Sequence, residues 1–314
     1  MLFKMMAKAA MIGVALLLSH PADARLIHQA YAQPVASSTG PIPAETRKAE
    51  LQAAWRAAAG TAIRGPASVS LLEQAKLALP DGMVFIPQVE AARLSSALGN
   101  RPGPEQIGIV TTFDDTDQWM VVVRFTKEGY IRDDDARDLN PEDVLANLRD
   151  GTAEANKERV QRGFPELELL GWTQPPVYDA ALHRLAWAMA VKRIGAPEDE
   201  TGVNFNTRAL GRDGYFSLNL ITGQDTIDGD RAVSATLLSS LEYNEGKRYA
   251  DFTSSTDRVA EYGLAALLGV VAAKKLGLIA VAGAFAVKFA KVGLFALLGL
   301  GVALKRLFRR KPTA

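Results

Sequence analysis

The chain has 314 residues, with 36 Lys and Arg against 35 Asp and Glu, 48% hydrophobic residues and no cysteine. That length suits one large domain or two ordinary ones, and without thiols there are no disulfides, thiolate zinc sites, iron–sulfur clusters or cysteine nucleophile. The charge is split: residues 25–258 carry 25 basic and 33 acidic side chains, whereas 259–314 carry nine basic and one acidic. An acidic body argues against nucleic-acid binding, which needs an excess of Lys and Arg to neutralise phosphates.

The N-terminus reads as a secretory signal, with Lys4 and Lys8 before an apolar run from Ala9 to Leu18. Ser19-His20-Pro21 breaks that run, and the small residues of Ala22-Asp23-Ala24 offer a cleavage site; Ala30-Tyr31-Ala32 offers a second, further from the apolar core. Residues 33–45, rich in Pro, Ser and Gly, read as a linker. An Ala-rich helix is expected over Glu45–Ala59, stopped by Gly60.

Short strands follow. Pro80-Asp81-Gly82 is a turn ahead of Met83–Ile86, and the β-branched runs Ile107–Phe113 and Trp119–Phe125 flank an acidic turn at Asp114, Asp115 and Asp117. Asn140, Pro141, Glu142 and Asp143 form a helix start, so a helix is expected over Pro141–Arg162, ended by Gly163, with Val144, Leu145, Leu148 and Ala155 on its buried stripe. Leu185–Val191 reads as a strand. Val203–Leu210 and Tyr215–Ile221 read as two more, joined as a hairpin through Gly211-Arg212-Asp213-Gly214. A helix over Asp230–Leu241 is expected next, then one from Ser255 onward, capped by Ser255 or Thr256 with Val259, Tyr262, Ala266 and Gly269 or Val270 on one face. That last helix is expected to dock on the body through Arg248, Asp251 and Asp257. Hairpins mixed with helices make the fold class α+β, an antiparallel sheet with packed helices, followed by a C-terminal membrane helix region.

The membrane region rests on apolar stretches 259–273, 276–287 and 292–304, separated by Lys274, Lys275, Lys288 and Lys291. A single span over Phe285–Leu304 puts Lys288 and Lys291 at its outer end and Lys305, Arg306, Arg309, Arg310 and Lys311 at its inner end, as the positive-inside rule prefers. A hairpin of two short spans and a basic surface helix are the competing arrangements. The resulting domains are a signal peptide at 1–24, linker and Ala-rich helix at 25–59, a periplasmic α+β domain at 60–258 and a membrane-proximal helix, span and cytoplasmic tail at 259–314. The expected location is the bacterial inner membrane, with lipids as partners and with a membrane-protein partner or a second copy met through small residues such as Ala282 and Ala286.

Chemistry is sparse. The acidic run Asp133, Asp134 and Asp135 is the first candidate for a cation site, but a calcium loop starting there would need Gly and Glu where the chain has Asp138 and Val144, so no metal is assigned. No phosphate loop and no Gly-x-Ser-x-Gly elbow occur, and His183 beside Arg184 reads as a structural histidine at a sheet margin. No cofactor is implied. Asn204, Asn206 and Arg208 alternate with Phe205 and Thr207 and so share one sheet face. With Trp172, Tyr178 and Arg212 they form a candidate binding face for a sugar, peptide or carboxylate, although the same row on a solvated face needs no ligand.

Leu79-Pro80-Asp81-Gly82, Ile131-Arg132-Asp133-Asp134-Asp135-Ala136, Gly171-Trp172, Leu210-Gly211-Arg212-Asp213-Gly214-Tyr215 and Tyr249-Ala250-Asp251-Phe252, continuing to Ala273-Lys274-Lys275-Leu276-Gly277-Leu278, occur in that order. Together they resemble a bacterial family of uncharacterised membrane-anchored proteins, domain of unknown function 2167, over about residues 60 to 290. The resemblance implies an exported domain with a C-terminal membrane region and brings no activity or catalytic residues. The expected function is a periplasmic ligand-binding or scaffolding domain anchored in the inner membrane. The alternative is an envelope hydrolase acting on cell-wall or lipid substrates through two carboxylates 5 to 9 Å apart, roughly the separation acid/base hydrolysis uses.

Overall fold

The computed structural model describes residues 44–114 and 119–268. The signal segment 1–24, linker residues 33–43, Asp115 and Asp117, and the apolar tail from residue 269, including Lys274 through Lys311, lie outside them.

Ala44–Thr61 forms helix α1, as its run of good helix formers predicts, and β1 (Ile63–Arg64), β2 (Ala67–Leu71) and β3 (Ala75–Leu79) follow. Gly82 takes a φ of +76° in the Pro80-Asp81-Gly82 turn, which leads into β4 (Val84–Pro87). Helix α2 (Gln88–Ala97) precedes the paired runs β5 (Gln106–Thr111) and β6 (Met120–Thr126). Helix α3 (Pro141–Gln161) starts where the sequence places it, with the Asn140 side chain accepting from the Glu142 amide. Then come β7 (Leu167–Asp179), β8 (Arg184–Arg193), β9 (Gly202–Leu210), β10 (Tyr215–Gly223), α4 (Ile227–Ser239) and β11 (Leu241–Tyr243). The fold is α+β.

Eight strands form one antiparallel sheet in the order β1-β4-β5-β6-β10-β9-β8-β7, and β11-β3-β2 form a second. The β9–β10 hairpin pairs Leu210 with Tyr215, and the Gly211 amide closes the turn on the Gly214 carbonyl at 2.8 Å. One face of the large sheet, with Val121, Val123, Phe125, Phe216, Leu218 and Leu220, packs against Leu71, Leu77 and Leu79 of the small sheet and Leu237 and Leu238 of α4. On the opposite face, Ile86, Ile109, Met120, Val122 and Ile221 pack under Trp55 of α1 and Leu94 of α2. Helix α3 lies along β7, the edge strand. Arg149 donates to the carbonyls of Leu169 and Leu170, and the Asn156 amide both donates to and accepts from the Leu167 backbone. These side chains occupy edge groups that would otherwise be open to pairing.

Several expectations change. The buried stripe of α3 is Val144, Leu148, Thr152 and Asn156, every fourth residue, while Ala155 is exposed. Two polar residues continue the stripe because each bonds to backbone: Thr152 to the Leu148 carbonyl and Asn156 to Leu167. Helix α4 begins three residues before Asp230, and Leu241 belongs to β11 instead.

The helix expected from Ser255 is not formed. Asp257 is drawn to Arg212 at 2.7 Å, and Val259 makes an isolated parallel bridge with Tyr130, so the backbone through 258–260 is committed to a strand-like partner. Among the described residues after Ser255 only a short 3₁₀ turn, Leu264–Leu268, is helical, and Gly269 and Val270 lie outside them. Among the described residues no helix is long and apolar enough to cross a membrane.

Candidate functional site

Strand register brings together side chains that are far apart in sequence, because directly opposed residues share a sheet face. On the face under α1 and α2 three cross-strand rows can be followed. The first runs Thr111, Met120, Ile221, Asn204, Met189, Trp172; the second runs Ile109, Val122, Asn219, Asn206, Trp187. The third runs Gln106, Arg124, Ser217, Arg208, Leu185, Tyr178. Each row starts in the sheet half that the helices cover and carries polar side chains near its middle.

The candidate residues Asn204, Asn206, Arg208, Trp172 and Tyr178 therefore all lie on this one face. Arg212 does not join them. It sits in the hairpin turn and forms two 2.7 Å hydrogen bonds to Asp257, which hold that carboxyl below its ordinary range.

The polar row is not solvated. Asn204, Asn206 and Asn219 are 2%, 6% and 2% exposed, and Ser217 is equally covered. Burial without partners is costly, yet Asn204 Oδ1, Asn219 Oδ1, Ser217 Oγ and Trp187 Nε1 have no hydrogen-bond partner in the structure. The amide of Asn206 reaches only the Asn204 carbonyl, at 3.3 Å. At the end of the row that carries Gln106, burial is satisfied: Gln106 and Ser95 bond to each other at 3.0 Å.

Two cations stand in the third row. Arg124 Nε and Nη2 and Arg208 Nε are buried and unpartnered. The Arg208 guanidinium lies over the rings of Trp187, at 5.2 Å, and Tyr215, at 5.5 Å. Desolvation, then the charge of Arg208, pushes Arg124 down to about 10, against weaker support from Glu105 and Tyr215. Arg208 is itself lowered by burial, with Tyr215 and Tyr262 opposing. Neither arginine forms an ion pair.

A second cluster lies where β7 turns into β8. His183 adopts a φ of +49°, in the left-handed region that costs a non-glycine residue energy. Its ring packs on Tyr249 at 4.0 Å and approaches the Tyr178 hydroxyl at 3.4 Å. Tyr178 donates to Asp133 at 2.5 Å, and Tyr249 stacks on Tyr130. Burial pushes the Asp133 carboxyl up, but hydrogen bonding, led by the Tyr178 hydroxyl, holds it below its ordinary range. Both Tyr178 and Tyr249 are raised well above the usual phenol range, first by burial.

The acidic run divides. Asp133 enters this cluster, Asp134 is exposed, and Asp135 accepts from the amides of Leu264 and Ala265. Among the described residues there is no group of three or more His, Cys, Asp or Glu that could hold a metal ion.

The sequence reading missed Arg124, Ser217, Asn219 and Trp187 as members of the polar face. A signal for three of them was present: once Leu210 opposes Tyr215 in the hairpin, Ser217 must oppose Arg208 and Asn219 must oppose Asn206, and Arg124 is the one charge in the run Met120–Thr126.

No curated protein matches the chain. Among solved structures, the solution structure of cyanobacterial PsbP (CyanoP) from Synechocystis sp. PCC 6803 is similar at a TM-score of 0.36 and 12% identity, covering 57% of this chain and 92% of that one. A family model matches residues 63–300, a range that holds all the ordered motifs from Leu79-Pro80-Asp81-Gly82 onward: the chain belongs to the family described as protein of unknown function (DUF2167).

Proposed function

We propose that this chain is a ligand-binding domain tethered to the bacterial inner membrane, with the acidic body in the periplasm and the basic tail in the cytoplasm. The observation that carries the binding reading is the buried, incompletely partnered polar row of Asn204, Asn206, Ser217 and Asn219. Buried amide and hydroxyl groups in a native fold are ordinarily completed by a partner, and a bound solute would complete these. Tethering rests on the signal-like start, the apolar stretches after residue 259 and the basic tail.

The hydrolase reading asks for two converging carboxylates. The acidic run supplies one, Asp133, while Asp134 is exposed and Asp135 is occupied with backbone. The geometry favours binding.

The test is native mass spectrometry of full-length protein purified in mild detergent, beside a variant carrying Asn206→Leu and Asn219→Leu. A small solute retained by the parent and lost from the variant is the expected result. The same species on both, or no solute together with a variant that melts at higher temperature, would show that the row is only structural. Orientation is tested separately by adding protease to spheroplasts: digestion of the body is expected, and a protected full-length body would refute a periplasmic location.

A further inference from the structure

Resting on that binding reading, we infer that Arg124 and Arg208, on either side of Ser217, form the anchor for an oxyanion, the phosphate or carboxylate group of a small polar solute whose uncharged part lies along Asn219, Asn206 and Trp187. The placement comes from register. Arg124 pairs with Ser217 on one side of β10 and Arg208 pairs with it on the other, so the two Cα atoms are separated by two strand spacings, about 10 Å. Both side chains leave the same face of the sheet. The flexible stems let the guanidinium groups approach an anion held over Ser217 Oγ, which is buried and without a partner.

The chemistry points the same way. A guanidinium carries five N–H donors in a planar fork that matches a phosphate or carboxylate. Here three such nitrogens, Arg124 Nε and Nη2 and Arg208 Nε, are buried with nothing to donate to. Stacking of Arg208 on Trp187 and Tyr215 fixes the plane of its fork while leaving the edge unused. Two like charges placed within range of each other repel unless an anion lies between them, and Arg208 does act on Arg124. A buried pair of cations is normally neutralised by carboxylates. Glu105, the carboxylate that acts on Arg124, stays outside ion-pair distance, and Arg208 has no acidic partner. The adjoining amides and the indole N–H suit hydroxyl groups, so a sugar acid or sugar phosphate fits the row better than a bare ion.

Isothermal titration of full-length protein in detergent with inorganic phosphate, glucuronate, glucose 6-phosphate and glucose tests this, with vesicles of phosphatidylglycerol and of phosphatidylcholine as further arms. Saturable binding of an anionic probe is expected, with glucuronate or glucose 6-phosphate tighter than phosphate, and a loss of at least about tenfold in Arg124→Met and in Arg208→Met. Binding to phosphatidylglycerol vesicles alone would assign the oxyanion to a lipid headgroup. Binding of glucose but of no anion would overturn the anion assignment and leave the binding reading standing. Binding of no probe by a protein that still carries a solute by mass spectrometry would also overturn it. Anion binding unchanged in both Arg variants would show a nonspecific ionic effect and overturn the assignment. Should the Arg variants fail to fold, Ser217→Asp is the alternative: a carboxylate between the two guanidiniums should raise the melting temperature and abolish anion binding, and a lower melting temperature with binding retained would refute the site.

Discussion

Asp133, Asp213 and Asp257 show what single side chains contribute. All three titrate below the ordinary carboxylate range. For Asp257 the leading cause is Arg212; for Asp133 and Asp213 burial works the other way and is outweighed by hydrogen bonds, led by Tyr178 in one case and by Lys247 and Gln74 in the other. A carboxyl with a depressed folded pKa stabilises the fold above its unfolded value of about 4 and loses that contribution as pH falls through the folded value. The melting temperature is therefore expected to be flat from pH 7 to about 5 on this account and to fall steeply below about 4. In Asp133→Asn that acid-side fall should be shallower. A pH series of thermal melts checks it, and an identical acid limb in the variant would remove Asp133 from the explanation. Gly214 combines a steric and a conformational constraint at this scale: its φ is +151°, and a Cβ built there would lie 1.9 Å from the Thr126 carbonyl oxygen on β6. Gly214→Ala should cost at least about 2 kcal/mol, because the clash is with backbone that cannot yield without opening the β6–β10 pairing; chemical denaturation measures it.

Elements were legible where a local rule and the tertiary structure agree. Helix α3 was readable from Asn140, Pro141 and the two acids that follow because capping is a local matter, and Asn140→Ala should lower stability by about 1 kcal/mol in a denaturant titration. The β9–β10 hairpin was readable for the same reason. By contrast, β7 was hidden because Pro175 and Pro176 disrupt strand patterning, yet an edge strand tolerates them and absorbs the mismatch in bulges near Gln174. Helix α2, with Ser95 turned inward to Gln106, showed too weak an apolar stripe to be seen. The binding face was half legible: alternation put Asn204, Asn206 and Arg208 together, but whether that face met water or the interior depends on packing that no period records. Asn156 carries the test of how α3 holds its strand. It satisfies both backbone groups of Leu167, so Asn156→Ala strands two buried polar groups and should cost about 2 to 4 kcal/mol, more than removing the helix cap. Equal losses would mean that water replaces the amide at this edge.

At the scale of the whole molecule, the last described segment decides how the body ends. A helix docked on the body was the form local rules favoured, since Ser255 and Thr256 can cap and the residues after Asp257 are good helix formers. What won instead is a set of long-range contacts: Arg212 holds Asp257, Tyr130 exchanges backbone bonds with Arg258 and Ala260 at 2.8 and 2.9 Å, and the Tyr249 hydroxyl donates to the Ile131 carbonyl. Arg248, expected in that seam, meets the body through its backbone, in an isolated antiparallel bridge with Gly211, while the Asp251 side chain accepts from the Arg248 amide at the start of their own 3₁₀ turn. Further on, the Leu264 amide reaches both the Arg132 carbonyl and Asp135, and Leu264, Leu267 and Leu268 are buried. Residues 130–135 and 258–265 thus run together as one structure, and the first ten residues of the apolar stretch 259–273 belong to the body. Hydrogen exchange on the full-length, detergent-solubilised protein should show the amides of Ala260 and Leu264 protected to nearly the degree of the central strands. In Asp135→Ala, exchange should quicken most at Ala265, whose amide loses its acceptor, and less at Leu264, which keeps the Arg132 carbonyl, while Ala260, held by the Tyr130 carbonyl, keeps its protection. Fast exchange across 258–268 in the parent protein would show that the seam opens freely and that the body is joined to its tail by a linker after all.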